Sequence, residues 1–187
     1  MKPTVPTRER LAREAALLFQ RKGYHGTGTA EIVAAAGVPK GSLYHHFPNG
    51  KADLAVAAAR WSSDGLLRIV EDSFCAARSF DDGVATLCHK LAKFLETTGL
   101  WIGCPVSATL FAGIDDEPMR RATAELFDQW IAAVEGHARR LGRADPRADA
   151  EGVWIAIQGA FTLSRVRRDG APLRAVPGLL GLAPAPR

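Results

Sequence analysis

The residues best suited to contact a polyanion lie together in one short segment of the chain. Ammonium and hydroxyl groups donate hydrogen bonds to phosphate oxygens and to base edges, and imidazole groups do so as well. A glycine in the segment lets the backbone approach another surface closely. The segment therefore predicts contact with nucleic acid. Its residues are Lys40, Gly41, Ser42, Tyr44, His45 and His46.

Catalytic and metal-binding alternatives fit this part of the chain less well. His45 and His46 are adjacent, so on a helix their side chains diverge by about 100°, and no Cys or carboxylate follows four residues after either one. Ser42 lacks the Gly-x-Ser-x-Gly surroundings of a hydrolase nucleophile. Gly26–Gly28 lacks the preceding strand and the Gly-Lys-Ser/Thr sequence of a nucleotide-binding loop. We therefore predict no metal site, no catalytic residue and no cofactor.

Positive charge is concentrated in the first third of the chain. The net charge is +4, but residues 1–60 hold nine Lys and Arg against four Asp and Glu, a net charge of +5. Residues 61–187 hold fifteen against sixteen, a net charge of −1. A local positive potential steers a protein toward polyanions. A solvated helix face is the alternative that charge alone leaves open.

Size and composition favour a globular protein of one domain or two small ones. The chain has 187 residues, 47% hydrophobic and 24% charged, which is unlike a disordered or collagen-like protein. Cys75, Cys88 and Cys104 are too few and too widely spaced for a disulfide framework. The longest apolar run, Leu54–Ala59, is far shorter than the ~20 residues of a membrane-spanning helix. Because Met1–Pro6 also lacks the apolar segment of a secretory signal, we expect a cytoplasmic protein.

Apolar residues recur at helical spacing along almost the whole chain, and no convincing strand alternation occurs, so we predict an all-α fold. A first helix ends at Gly23, a second runs from Thr29 to Gly37, and a third begins at Pro39. Pro48–Gly50 separates the third helix from a long fourth one. The later helices are predicted at about 51–76, 80–98, 105–112, 117–141, 148–169 and 172–182.

The second and third helices match the helix-turn-helix arrangement that presents one helix to the DNA major groove. Leu43 and Phe47 lie four residues apart and form the apolar side of the third helix, which leaves its polar residues accessible. The chain accordingly divides into a helix-turn-helix domain of residues 1–50, a helical bundle of residues 51–182 and a frayed tail of residues 183–187.

The segment TGTAEIVAAAGVPKGSLYHHF, residues 27–47, resembles the DNA-binding signature of the tetracycline-repressor (TetR) family, and the resemblance covers about residues 7–60. Gly103–Val106, followed by Asp115–Met119, is similar to the family branch that includes the lincomycin-resistance repressor. The resemblance implies a homodimeric repressor. Such a repressor binds a palindromic operator until a small molecule enters the bundle.

Carried over residue by residue, the resemblance implies specific DNA contacts. Thr29 would contact a phosphate at the start of the second helix, and Lys51 would contact another at the start of the fourth. Lys40, Gly41 and Ser42 would lie at the leading edge of the recognition helix. Two further residues would hold the DNA backbone on either side of the groove. These are Tyr44 and His45.

Bulky aromatic residues spread over several bundle helices could line an apolar effector pocket with few polar groups. Simple core packing is the alternative for each of them. Cys104 is expected to be a buried free thiol, with redox sensing as the alternative. The candidate pocket residues are Phe94, Trp101, Cys104, Thr109, Phe111, Trp130, Trp154 and Gln158.

The last two long helices carry more apolar surface than one core needs, so we expect them to form the dimer interface. An enzyme built on a helical bundle and a DNA-binding protein without an effector remain as alternatives. Ligand-dependent release from DNA would separate the second alternative from a sensor. The candidate dimerisation residues are Val134, Val153, Ile157, Phe161 and Leu163.

Overall fold

The structure, a computed structural model, describes residues 5–101, 104–113 and 115–182. Within these ranges the chain forms helices and no strands, which confirms the predicted all-α fold. The predicted tail at 183–187 and Gly103 lie outside the described residues. The helices are α1 (Thr7–Lys22), α2 (Thr29–Ala36), α3 (Ser42–His46), α4 (Lys51–Phe74), α5 (Phe80–Thr98), α6 (Pro105–Leu110), a 3₁₀-helix (Phe111–Gly113), α7 (Glu117–Arg140), α8 (Pro146–Arg167) and α9 (Ala171–Leu179).

The predicted helices are all present, but α3 begins later than expected. The sequence predicts its start at Pro39, whereas the first α-helical residue is Ser42. The carbonyl oxygen of Pro39 accepts the N–H of Ser42 over 2.9 Å and closes a tight turn first. Lys40 and Gly41 therefore lie in this turn and not on the helix itself.

Two compact units make up the fold, and the chain passes between them more than once. The first unit comprises Met1–Asp64 and Pro105–Ala124, and the second comprises Gly65–Cys104 and Glu125–Arg187. Helices α4 and α7 each contribute residues to both units. The functional division after residue 50 concerns DNA contact and not compactness, so it stays a prediction.

The first unit is organised around α1, which packs against α2, α3 and α6. On the apolar face of α1, Leu11, Ala15 and Phe19 are fully buried. Ile32 of α2 and Leu43 of α3 are buried as well, as is Phe47, which directly follows α3. Each buried side chain of this size stabilises the folded protein by about 1.5–3 kcal/mol relative to an exposed one. This core fixes the side of α3 that faces inward.

The second unit packs α9 against α5 and α8. Arg174 of α9 donates two hydrogen bonds to the Glu96 carboxylate of α5, over 2.8 and 2.5 Å. These hydrogen bonds and the charge of Arg174 hold the pKa of Glu96 below its ordinary value. Gly83 of α5 lies against the Phe74 ring, where a Cβ atom would come within 2.2 Å of the ring. A side chain at position 83 would therefore displace the Phe74 ring.

Candidate nucleic-acid interface

The turn between α2 and α3 is held by both backbone geometry and a side chain from α1. Gly37 adopts the left-handed conformation with φ of 61°, as predicted for the end of α2. The Arg10 guanidinium donates hydrogen bonds to the carbonyl oxygens of Ala36 and, over 3.1 Å, of Gly37. Arg10 thereby satisfies carbonyls that the end of a helix leaves without partners. The turn sets the direction in which α3 leaves α2.

Helix α3 presents the predicted DNA-contacting residues on its accessible side. Tyr44 is 63% exposed, while Leu43 and Phe47 are buried on the opposite side. The other candidates in this segment differ in accessibility. Lys40, Gly41 and His45 are exposed, and Ser42 and His46 are half-buried. The turn and α3 therefore form one polar surface with an ammonium, hydroxyls and imidazoles, all suited to phosphate and base contacts.

Thr29 is the first residue of α2 and is half-buried. It follows Gly28, which occupies the N-cap position in an extended conformation without a side-chain cap. The first hydrogen bond of α2 runs from the N–H of Ile32 to the carbonyl oxygen of Gly28. The earlier N–H groups of a helix have no intrahelical partner and favour an anion. The position of Thr29 is thus compatible with the predicted phosphate contact.

Lys51, the first residue of α4, lies against an aromatic ring that sequence reasoning missed. Its Nζ is 4.5 Å from the centroid of the Tyr24 ring, a cation–π geometry. Tyr24 is half-buried, and burial raises the pKa of its hydroxyl above the ordinary value, with a further contribution from the charge of Asp116. Its ring therefore meets Lys51 as a neutral phenol. No local sequence pattern links positions 24 and 51.

A compact turn of residues 47–50 connects α3 to α4. Gly50 adopts φ of 67°, and a Cβ atom there would lie 3.3 Å from the Tyr44 ring. The Asp53 carboxylate accepts the backbone N–H of Asn49 over 2.9 Å and its side-chain amide over 3.2 Å. This turn places Lys51, the first residue of α4, shortly after the end of α3 at His46.

Three of the eight candidate effector residues lie together in the second unit. Trp130 and Trp154 are buried with ring centroids 5.2 Å apart, and the Trp154 indole N–H donates to the Trp130 carbonyl oxygen over 2.8 Å. Gln158 follows Trp154 by about one helical turn. Its Nε2 is buried and has no hydrogen-bond partner among the described residues. Two aromatic rings and an unsatisfied amide donor thus share one part of the bundle.

The other effector candidates are distributed between the two units. Thr109 is buried and Phe111 is exposed in the first unit, whereas Phe94, Trp101 and Cys104 belong to the second. Phe94 is exposed, Trp101 is half-buried and Cys104 is buried. A cavity of about 390 Å³ opens between α1 and α4 in the first unit. None of the eight candidates lines this cavity.

Four of the five predicted dimerisation residues are buried within their own chain. Val134, Val153, Ile157 and Phe161 are buried in the core of their own chain, so their side chains are not available to a second copy. Leu163 is exposed, and its role in dimerisation stays a prediction. The sequence pattern included Leu163 but not its exposed apolar neighbours on α8, because the pattern identifies apolar residues without showing which of them the core covers. The accessible apolar face of α8 consists of Ile155, Gly159, Leu163 and Val166.

The His, Cys, Asp and Glu side chains of residues 5–101, 104–113 and 115–182 are dispersed. Within these ranges no three His, Cys, Asp or Glu side chains are grouped to hold a metal ion. The His45 and His46 rings lie edge to face with centroids 4.9 Å apart. None of the described helices has both the length and the apolar character needed to cross a bilayer.

Two family profiles match the chain. Residues 11–58 match the profile described as bacterial regulatory proteins, tetR family. Residues 82–178 match the profile described as transcriptional regulator LmrA/YxaF-like, C-terminal domain. The first match contains the helix-turn-helix, and the second covers most of the bundle.

Individual relatives span nearly the same length. The chain is 32% identical over 170 residues to the uncharacterized HTH-type transcriptional regulator YxaF of Bacillus subtilis (strain 168), which covers 89% of each chain. It is 31% identical over 173 residues to the HTH-type transcriptional regulator LmrA of the same strain, covering 89% of this chain and 90% of LmrA. The crystal structure of regulatory protein TetR from Rhodobacter sphaeroides superposes with a TM-score of 0.78 at 26% identity, over 92% of this chain and 95% of that one.

Proposed function

Because the chain belongs to the TetR family of transcriptional regulators, with an LmrA/YxaF-like C-terminal domain, we propose that it is a homodimeric repressor of a palindromic operator. In this proposal a small, largely apolar molecule binds the helical bundle and releases the repressor from DNA. The repressor acts in the cytoplasm. The DNA-binding domain comprises residues 1–50, and the bundle of residues 51–182 serves ligand binding and dimerisation.

The observation that carries the proposal is the polar surface of α3 and its preceding turn. In this proposal Lys40, in the exposed turn before α3, and Ser42, the first residue of α3, contact base edges and phosphates. Tyr44 and His45, on the accessible side of α3, contact the DNA backbone. Thr29 and Lys51 stand at the starts of the two neighbouring helices, where phosphate contacts position a protein on the duplex.

The Trp130–Trp154 pair and Gln158 support an effector site in the bundle. A buried amide donor without an acceptor costs about 1–3 kcal/mol. A ligand that carries a hydrogen-bond acceptor on an apolar frame would remove this cost while its frame contacts the indole rings.

The accessible face of α8 supports homodimerisation. Ile155 is 74% exposed and Val166 is 79% exposed, both well above the burial expected of large aliphatic residues. On α9, Leu179 is 77% exposed. Contiguous exposed apolar surface marks a contact with another protein. A second copy of this chain would place the same face against itself about a two-fold axis.

Two alternatives predict different behaviour. A DNA-binding protein without an effector would bind operator DNA but would not be released by any small molecule. A helical-bundle enzyme would need convergent titratable side chains, and both family profiles and the named relatives describe regulators instead.

Selection of bound fragments from the source genome by the purified full chain tests the proposal. We expect enrichment of palindromic sites, followed by release of the best fragment on addition of one compound from a panel of apolar molecules. Palindromic binding without release by any compound would favour the protein without an effector. Failure to bind any duplex at low salt would overturn the proposal.

A further inference from the structure

We propose that Tyr24 is a positioning residue for Lys51, and that its ring holds the Lys51 ammonium where it meets the DNA backbone. This inference rests on the proposed function, in which Lys51 contacts a phosphate. It assigns a role to an aromatic residue that follows α1 and lies outside the recognition helix.

The Lys51 ammonium lies over the face of the Tyr24 ring. The Lys51 Nζ lies 4.5 Å from the Tyr24 ring centroid, within the limit of about 6 Å for a cation–π interaction. In the part of the chain that the structure describes, no carboxylate forms an ion pair with Lys51. By contrast, Lys22 is paired with Glu31 over 2.5 Å. A phosphate therefore has no competing carboxylate to displace from Lys51.

The Tyr24 ring is itself held in place by two neighbouring rings. Its centroid is 5.6 Å from that of Phe19, which is fully buried on α1, and 5.3 Å from that of His25 in an edge-to-face arrangement. Tyr24 also follows Gly23, the C-cap residue of α1, whose positive φ of 73° ends the helix. The ring thus contacts both the buried Phe19 of α1 and the first residue of α4.

The contact with Tyr24 also lowers the entropic cost of binding a phosphate. A free lysine side chain loses rotamer freedom when it binds a phosphate, and this loss weakens binding. An ammonium already held over a ring loses less freedom, and Lys51 as a residue is only half-buried. Holding part of one lysine side chain in its bound conformation corresponds to roughly a two- to five-fold effect on affinity.

A double-mutant cycle in the full-length chain tests this role. The variants are Tyr24→Leu, Tyr24→Phe, Lys51→Ala and the combination of Tyr24→Leu with Lys51→Ala. The probe is a duplex of random sequence, titrated at several salt concentrations between about 50 and 200 mM. We expect Tyr24→Leu to weaken binding roughly two- to five-fold and to lower the salt slope toward that of Lys51→Ala. Tyr24→Phe should retain the wild-type affinity and slope.

The combined variant provides the decisive comparison. If Tyr24 acts through Lys51, Tyr24→Leu causes no further loss of binding in the Lys51→Ala background. An equal loss in both backgrounds, or tighter binding by Tyr24→Leu, would overturn the positioning role. Failure of the wild-type chain to bind the duplex at low salt would instead overturn the proposed function.

Replacement of Tyr24 by ring-fluorinated phenylalanine keeps the inference testable if Tyr24→Leu does not fold. Fluorine weakens the negative face of the ring and leaves its shape almost unchanged. We expect affinity to fall stepwise from Tyr24→Phe as fluorine atoms are added. Constant affinity across this series, with unchanged unfolding midpoints, would show that the ring has a packing role alone.

Discussion

The Arg10 guanidinium donates a hydrogen bond to the carbonyl oxygen of Gly37 over 3.1 Å and joins the first turn of α1 to the end of α2. The same nitrogen donates to the carbonyl oxygen of Ala36. Because Arg10 is half-buried, replacing it leaves two carbonyl groups at the helix-turn-helix turn without this donor. The contact ties the orientation of the recognition helix to the core of the first unit.

We expect Arg10→Met to lower the free energy of unfolding by about 1–2 kcal/mol, since hydrogen bonds to charged donors contribute about this much when partly exposed. Chemical denaturation measures the change. Arg13→Met is the matched control, because Arg13 is exposed on the same helix and pairs with its neighbour Glu14. Equal effects of the two substitutions would show that the turn does not depend on Arg10.

Substitutions in the recognition segment are expected to separate base recognition from phosphate contact. Ser42→Ala and Lys40→Ala should change the preferred bases in a selection from random DNA, with about 1–3 kcal/mol of discrimination lost per base contact. Lys51→Ala should leave the consensus unchanged and reduce the salt slope by about one. An unchanged consensus after both recognition-segment substitutions would place base recognition elsewhere.

A leucine at Gly159 is expected to prevent dimerisation without disturbing the fold. Gly159 is exposed on the apolar face of α8, and nothing lies within 4 Å of the position that its Cβ would take. Gly136 on α7 is an exposed helical glycine with the same open surroundings and serves as the control. Both substitutions should raise helix stability by up to about 1 kcal/mol.

Sedimentation measures the outcome for this pair. Gly159→Leu should shift the chain toward monomer, because a bulky side chain at the centre of a close helix contact separates the two copies. Gly136→Leu should remain dimeric. Dimers of equal stability for both variants would show that this face of α8 is not the interface.

Cys88 is expected to be inert to alkylation in the folded chain. Burial raises the pKa of its thiol from 9.0 to about 12, and the thiolate is the reactive form. At pH 8 the reactive fraction of Cys88 is therefore roughly a thousandfold lower than that of an ordinary thiol. Iodoacetamide should label the exposed Cys75 first, as read by peptide mass, and Cys88 only after unfolding. Equal labelling rates would contradict the burial of Cys88.

The same pKa shift predicts a pH dependence of stability. The pKa of the Cys88 thiol is higher in the folded than in the unfolded state. Its contribution to the free energy of unfolding is therefore fully present below about pH 9 and falls as the pH rises toward about 12. The difference in unfolding free energy between the wild type and Cys88→Ala should therefore narrow over this interval. A constant difference would show that the thiol ionises equally in both states.

The sequence by itself determined the helices, the turn at Gly37 and the family. Helical hydrogen bonds and apolar periodicity span only a few residues. The spacing of Leu43 and Phe47 therefore predicts a helix without knowledge of the rest of the chain. The start of α3 was misplaced because the tight turn between Pro39 and Ser42 resembles the first turn of a helix.

Only the tertiary structure decided which apolar residues the core covers and which side chains meet across long stretches of chain. Ile157 and Ile155 are equally apolar in sequence, yet the first is buried and the second is exposed. The contacts of Arg10 with Gly37 and of Tyr24 with Lys51 each join positions about 27 residues apart. Periodicity shows that a helix has an apolar face, but packing alone selects the partner of that face.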